Sequence, residues 1–384
     1  MVFNLPRILI PIEAALGETR VAATPETVKK LISIGFKVSI QQGAGALAGF
    51  LDDSYFNAGA DLFSDAGEDS YQNVDLVLCV NSPSEGFLSK LKPRTLLVGL
   101  LAPYGNQTLA NNLEKGELSA LSLELLPRIS RAQAADALSS QANIAGYKAV
   151  LLGASALDRY FPMLMTAAGT VQPAKVVVLG AGVAGLQAVA TAKRLGAVVY
   201  VSDIRPAVKE QVESLGGRFI EPPEVKDEPS GSAVYANQVS QAFLASQRKQ
   251  LVSQLAEADV AICTAQVPGK KAPRLIDEEM LDQMRAGAVV VDLAVAQGGN
   301  CEGTRPGETV LRKGVKLIGA SDLPCTIPNH ASSLYARNLF ALISPLINDG
   351  HLVLDAEDEL IKGALISKDG LIRQNQLMNS GGSN

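Results

Sequence analysis

Short apolar runs, each followed by a segment with apolar positions at helical spacing, recur along the chain. In the first half they are RILIPI at 7–12, KVSIQ at 37–41, DLVLCV at 75–80, TLLVGLL at 95–101 and LSALSLE at 118–124. In the second half they lie at 175–179, 197–202, 259–264, 287–293 and 315–319. Runs of this kind, without strict apolar–polar alternation, mark strands buried on both faces of a sheet. Between them lie helix-like segments such as 24–34, opened by Thr24-Pro25-Glu26, a capping residue with proline at the first helical position. Strands alternating with helices predict an α/β chain of two Rossmann-like domains, each with a parallel sheet covered on both faces. A helical pattern at 331–346, ASSLYARNLFALISPL, is expected to return the chain to the first domain. The expected organisation is a discontinuous first domain, 1–137 plus 329–384, and a second over 138–328, with a cleft between them.

Within the second half, KVVVLGAGVAGLQAVATAKRLGAVVYVSD at 175–203 joins a strand, a glycine turn, a helix, a second strand and an acid in one unit. A G-x-G-x-x-G match gains meaning only in that context. Gly180 permits the tight turn, Gly182 lets a pyrophosphate approach the backbone, and Gly185 lets the helix pack close to the strand. The helix N-terminal amides from Val183 onward then face the phosphates. Asp203 follows Gly185 by 18 positions. A carboxylate there accepts from both ribose hydroxyls of an adenosine and repels a 2′-phosphate, which predicts NAD(H) rather than NADP(H). A second glycine cluster, Gly43 to Gly49, has its third glycine one position late and no helical run after it, and is read as a turn.

The length of 384 residues suits two domains with separate cores, and 47% hydrophobic with 19% charged residues is ordinary for a soluble α/β protein. A net charge of −5 offers no basic stripe, so no nucleic-acid partner is expected. The longest apolar stretch, 176–192, is interrupted by three glycines and belongs to the glycine-turn unit. The N-terminus enters a strand pattern at once without a signal-peptide cleavage region, which predicts a cytoplasmic chain. Cys79, Cys263, Cys301 and Cys325 are far apart and read as free thiols; His330 and His351 have no ligand spacing, so no metal is expected.

Two segments stand outside the sheet pattern. Residues 221–238, EPPEVKDEPSGSAVYANQ, are too polar to bury much surface and are expected to form a mobile loop, with Tyr235 its only aromatic. The loop is either a plain insertion or a lid over a cofactor. At the junction of the halves runs LPRISRAQAADALSSQ, 126–141. Read as a loop leading into a helix, it puts Asp136 and Ser139 three apart on one face, with Gln133 on the same side. Arg128 can fork to a carboxamide oxygen or phosphate, and Gln133 and Asp136 can bind both ends of an amide. The set is either a nicotinamide site or polar capping of a linker helix.

These motifs carry a resemblance. PRISRAQAADALSSQANIAGY, MTAAGT at 165–170, LGAGVAGLQAVATAKRLGAVV at 179–199, VPGKKAP at 267–273 and DLAVAQGGN at 292–300 resemble the NAD(H)-binding component of proton-translocating nicotinamide nucleotide transhydrogenases, over essentially the whole chain. The resemblance implies a soluble component that binds NADH and passes hydride directly to NADP⁺ on an NADP(H)-binding partner, coupled to proton passage through membrane-spanning subunits. It implies nicotinamide positioning by Arg128, Gln133, Asp136 and Ser139, and closure by Tyr235. Ile129, Ser130, Ile204, Arg205, Gln247 and Gln266 complete the set expected around the nucleotide. A homodimer, peripheral on the membrane through its partners, is implied by the resemblance alone, and the end at Asn384 is read as a separate, split subunit.

Alanine dehydrogenase shares the fold and is the rival. Arg20 in GETRVAATP matches its substrate arginine, but Asn81, Leu101 and Ala296 stand where it has a lysine, a histidine and an aspartate. Oxidative deamination without an acid/base lacks a proton carrier. Hydride transfer between two nicotinamides needs only approach and orientation. A non-catalytic NAD(H)-binding regulator would not need the 128–139 loop.

Overall fold

The computed structural model describes residues 5–64, 71, 73–221, 241–267, 269–348 and 350–374. The chain divides into two compact units, one made of Met1–Gln141 with Pro324–Asn384 and the other of Ala142–Leu323.

The first unit contributes β1 (Arg7–Ile10), β2 (Lys37–Gln41), β3 (Asp61–Phe63), β4 (Leu76–Asn81), β5 (Leu96–Leu100) and β6 (Ser119–Ser122). In the second lie a hairpin, β7 (Leu164–Thr166) with β8 (Gly169–Val171), and the sheet strands β9 (Lys175–Leu179), β10 (Val198–Ser202), β11 (Arg218–Phe219), β12 (Val260–Cys263), β13 (Val289–Asp292), β14 (Thr309–Arg312) and β15 (Val315–Gly319). Back in the first unit come β16 (Ile347–Asn348), β17 (His351–Leu352), β18 (Leu365–Lys368) and β19 (Leu371–Ile372).

Both sheets are wound alike. The first runs β19-β18-β6-β5-β4-β1-β2-β3, parallel from β3 to β6; the second runs β11-β10-β9-β12-β13-β15-β14, parallel except at β14. In each, the first strand of the unit's sheet lies centrally and the chain reverses direction beside it, at β1/β4 and at β9/β12. In such sheets ligands bind outside the carboxyl ends of the strands at that reversal. The antiparallel β18 and β19 extend the first sheet by residues that the sequence pattern does not reveal.

Alternation along each central strand feeds two cores. Ile8 and Ile10 face one side with Leu76, Leu78 and Val80, while Leu9 faces the other with Val77 and Cys79. In the second sheet Val176 and Val178 divide from Val177 and Leu179 in the same way. The helix Pro25–Ser33 begins where its sequence predicts: Thr27 N donates to Thr24 Oγ1 and Thr24 N to Thr27 Oγ1, closing a capping box. The returning helix Pro328–Ile343 buries Tyr335, Leu339, Leu342 and Ile343 in the core beside β1 and β4, and Tyr335 Oη donates to Cys79 O at 2.8 Å.

One close approach sets the second unit's geometry. In the helix Ala137–Ala156, a Cβ built on Gly146 would lie 2.0 Å from the carbonyl oxygen of Ala184, so only glycine lets it pack against the start of the helix Val183–Arg194. Gly146→Ala should therefore destabilise the protein by about 1–3 kcal/mol, the usual cost of overpacking. A denaturant midpoint equal to the parent's would contradict this packing.

Candidate functional site

Each unit carries one of the predicted clusters. In the second, β9 ends at Leu179 and the chain turns through Gly180, whose φ of +99° lies in the region that side chains avoid. Gly182 is the N-cap of Val183–Arg194, and among the described residues no side chain caps that helix, so they leave its first amides for a ligand. Among the described residues a Cβ on Gly182 would meet nothing within 4 Å, so they leave the surface in front of it open. A Cβ on Gly185 would sit 1.9 Å from Gly180 O, which is what presses the helix onto the turn. These features fit a dinucleotide: an uncapped helix start, a side-chain-free approach and a carboxylate after the next strand.

That carboxylate, Asp203, is buried and fully engaged. Its Oδ2 accepts from Ala181 N at 2.7 Å and Arg205 Nη2 at 2.9 Å; its Oδ1 accepts from Arg205 N at 2.8 Å and Arg205 Nε at 2.9 Å. Burial raises its pKa, but the Arg205 fork and the two backbone N–H groups outweigh burial and hold it below the usual aspartate range. Arg205 qualifies the expectation from sequence. Its guanidinium offsets part of the negative charge that was to repel a 2′-phosphate. Exposed Ile204 follows Asp203, and Gln266 donates from Nε2 to Leu293 O at 2.8 Å. Gln247 lies in the helix Gln241–Ala256, but its side chain, Tyr235 and residues 222–240 lie outside the described residues.

The first unit carries the 128–139 set. A 3₁₀ turn, Ser130–Ala135, ends at Asp136, and the α-helix Ala137–Ala156 starts immediately after it. Asp136 Oδ1 accepts from Ser139 N at 2.9 Å and Oδ2 from Ser139 Oγ at 2.6 Å, so this pair does come together. Gln133 does not share their helical face. It is exposed in the preceding turn, and its carbonyl accepts from Asp136 N at 3.3 Å. The change of helix type at Asp136 separates them. Arg128 and Ser130 are exposed and Ile129 is half-buried.

A further cluster, beside β1 and β4, joins Arg20 and Asn81 in a way the sequence does not signal. Arg20 and Glu18 are buried together: Arg20 Nε donates to Glu18 Oε1 at 2.7 Å and Nη2 to Oε2 at 2.6 Å. Asn81 Nδ2 donates to Glu18 Oε2 at 2.7 Å, and Arg20 Nη1 to Gln141 Oε1 at 3.0 Å. Burial raises the Glu18 pKa, yet the Arg20 bonds and charge overcome it and hold the value at about 2. At the strand reversal a cavity of about 490 Å³ is lined by residues including Glu13, Gln41, Asn81 and Phe87. Where the second sheet has its glycine turn, this one has Glu13, which accepts from Val80 N at 2.6 Å and Asn81 N at 3.0 Å. Burial pushes the Glu13 pKa up to about 7 against those two bonds. The glycine cluster at 43–49 forms a 3₁₀ turn, Ala46–Ala48, closed by Gly49 at φ +80°.

The alanine dehydrogenase/PNT N-terminal domain model matches residues 9–145 and the corresponding C-terminal domain model residues 149–375. The chain is 45% identical to an NAD(P) transhydrogenase subunit alpha chain of Rhodospirillum rubrum, over 95% of this chain and 97% of that one. A crystal structure of transhydrogenase from Sinorhizobium meliloti superposes with a TM-score of 0.87 at 41% identity, covering 96% of this chain and all of that one. An L-alanine dehydrogenase structure gives a TM-score of 0.81 at 26% identity, covering 97% and 98%.

The Glu13 site generates a pH dependence of stability. The folded chain keeps this proton up to about pH 7, whereas an unfolded glutamate releases it near 4.5. Above 4.5 the folded state therefore binds more protons than the unfolded state, and Glu13's contribution to stability falls as pH rises from 4.5 to 7, by up to about 3 kcal/mol. Glu13→Gln should remove that fall: although its single carbonyl oxygen can accept from only one of the two amides, the variant's Tm relative to the parent's should be higher at pH 8 than at pH 5. An equal difference at both pH values would show that Glu13 is not buried as described.

Proposed function

The chain belongs to the alanine dehydrogenase/PNT family, and from that premise we propose that it is the NAD(H)-binding component of a proton-translocating transhydrogenase. The observation that carries the reading is the geometry of 180–203: an uncapped helix start, an open face at Gly182 and a buried carboxylate after the next strand. In this reading the Val183–Arg194 amides and the turn at Gly180, Gly182 and Gly185 hold the pyrophosphate, and Asp203 receives the adenosine ribose once the exposed Arg205 guanidinium turns away from it. Arg128, Gln133, Asp136 and Ser139 orient the nicotinamide, with Tyr235, Gln247 and Gln266 around the nucleotide. NADH, when bound, supplies the hydride, which passes directly to NADP⁺ on a partner component. The chain's own groups only bind and orient, because hydride exchange between two nicotinamides moves no proton at the reacting carbons.

Among the described residues no helix is long and apolar enough to cross a membrane. In the proposed reading proton translocation belongs to partner subunits, on which this chain would sit peripherally. The hairpin β7/β8 is exposed along both strands, with Met163 at 57% and Met165 at 74% exposure. An isolated two-stranded ribbon is marginal in water, which supports a second copy of the chain as its cover.

The alanine dehydrogenase reading meets two obstacles. Asn81, Leu101 and Ala296 supply no acid or base, and Arg20, which would have to receive the amino-acid carboxylate, already bonds Glu18 through two nitrogens and Gln141 through a third.

Mixed with an NADP(H)-binding transhydrogenase component, the chain should catalyse hydride exchange between NADH and an NADP⁺ analogue. Asp136→Asn should slow that exchange far more than it weakens NADH binding. Tight NADH binding without exchange sinks the transhydrogenase reading, and alanine-dependent NAD⁺ reduction by the chain alone would install the rival. Asp203→Asn should weaken NADH binding, measured by nucleotide fluorescence, by about 10-fold, the loss of one charge-assisted bond. An unchanged affinity removes Asp203 from the ribose site.

A further inference from the structure

Arg20 is the residue whose type and position most suggest substrate binding, and its surroundings give it another task. The guanidinium is buried, and Nε, Nη1 and Nη2 all donate inside the first unit. Its second partner, Gln141, lies one helical turn beyond Ala137, near the start of the helix that Asp136 caps. Gln141 Nε2 donates in turn to Ala331 O at 3.1 Å and Ser140 Oγ at 3.3 Å. Ser140 Oγ donates to Asn338 Oδ1 at 2.7 Å, and Asn338 Nδ2 donates to Ala134 O at 2.8 Å. Asp136 therefore stands between two residues, Ala134 and Ser140, that are tied into one polar network ending on Arg20.

The backbone gives this network something to hold. Asp136 has φ −70° and ψ 83°, neither helical nor extended, at the change from a 3₁₀ turn to an α-helix. The Ser139 bonds hold the Asp136 carboxylate against the helix start, so its direction in the unit follows wherever the long-range ties hold that start. Resting on the transhydrogenase reading for its consequence, we propose that Arg20 is a positioning residue: through Gln141 it sets the start of the Ala137–Ala156 helix, and with it the Asp136–Ser139 pair that orients the nicotinamide. Glu18 fixes Arg20, with Asn81 on β4 and Cys325, whose Sγ donates to Glu18 Oε1 at 3.2 Å, completing the support. The same fork that commits Arg20 to this task denies it to a substrate carboxylate.

The test uses the full chain with its NADP(H)-binding partner. Gln141→Leu leaves the Glu18–Arg20 pair intact and removes the link together with the Gln141 bonds to Ala331 O and Ser140 Oγ; Arg20→Lys keeps a charge for Glu18 but loses the fork. Each should lower the maximal exchange rate about 10-fold or more, since small misplacements at a reacting centre are costly, while NADH affinity changes less than about 3-fold. Because both act through one path, Arg20→Lys/Gln141→Leu should be no slower than the slower single variant. A structural role alone would instead give additive losses, or none in folded Gln141→Leu, and either result overturns the proposal. Amide exchange supplies an arm independent of activity: protection of the Ser139 and Ser140 amides should fall about 10-fold in both variants. If the parent itself shows no hydride exchange, the transhydrogenase reading fails, and this second arm still decides the positioning claim. Unchanged protection in both variants defeats it.

Discussion

The second unit depends on one contact, the helix Val183–Arg194 seated on the carbonyl of Gly180 with no room for a side chain at Gly185. That approach brings the helix start over the carboxyl end of β9, where its unpaired amides and dipole create positive potential. It also places Ala181 N within 2.7 Å of Asp203, so the turn and the acid after β10 are held as one piece. Gly146 extends the same tightness backward by letting the Ala137–Ala156 helix lie against Ala184. Move that helix outward by the width of a methyl group and the turn, the amides and the carboxylate lose their common geometry.

The first unit repeats the strand order and not the chemistry. At its own reversal, β1/β4, the turn carries Glu13 and then the Glu18–Arg20 pair instead of a G-x-G-x-x-G run. A buried ion pair contributes little net stability, because desolvation consumes most of the attraction, but breaking one partner away from the other is costly. Such a pair is well suited to fixing positions. Here it fixes the loop after β1, Asn81 at the end of β4 and Gln141 near the start of the long helix. In the proposed reading one sheet receives an anion on backbone amides, while the other uses the same place to hold a loop still.

Much of this is legible in the sequence because its signals are local. Val176 to Val178 before Gly180, Thr24 before Pro25, and Asp203 after the next apolar run each declare themselves within a few residues. Other features are not legible because their partners are distant. Arg20 and Gln141 are 121 positions apart, and Asp136's neighbour Ala134 is held by Asn338, 204 positions on. Arg20 matches the substrate arginine of alanine dehydrogenase in sequence, and Glu18, two residues before it, gives no sign there of folding back onto it. One continuous helix would put the Gln133 side chain with Asp136 and Ser139, and the 3₁₀ turn interrupts that helix. The pairing of β18 and β19 is hidden because each is short and joins the sheet edge antiparallel, beyond the repeating pattern.

In the proposed reading this chain holds a hydride donor and supplies no acid, base or nucleophile. That claim is tested most directly with NADH deuterated at the transferred position of nicotinamide C4, in ordinary water, with the NADP(H)-binding partner and NADP⁺ present. Direct transfer predicts that the deuterium appears in the NADPH formed, with no proton taken from solvent at that carbon. NADPH carrying solvent hydrogen instead, with the label released to water, would contradict it.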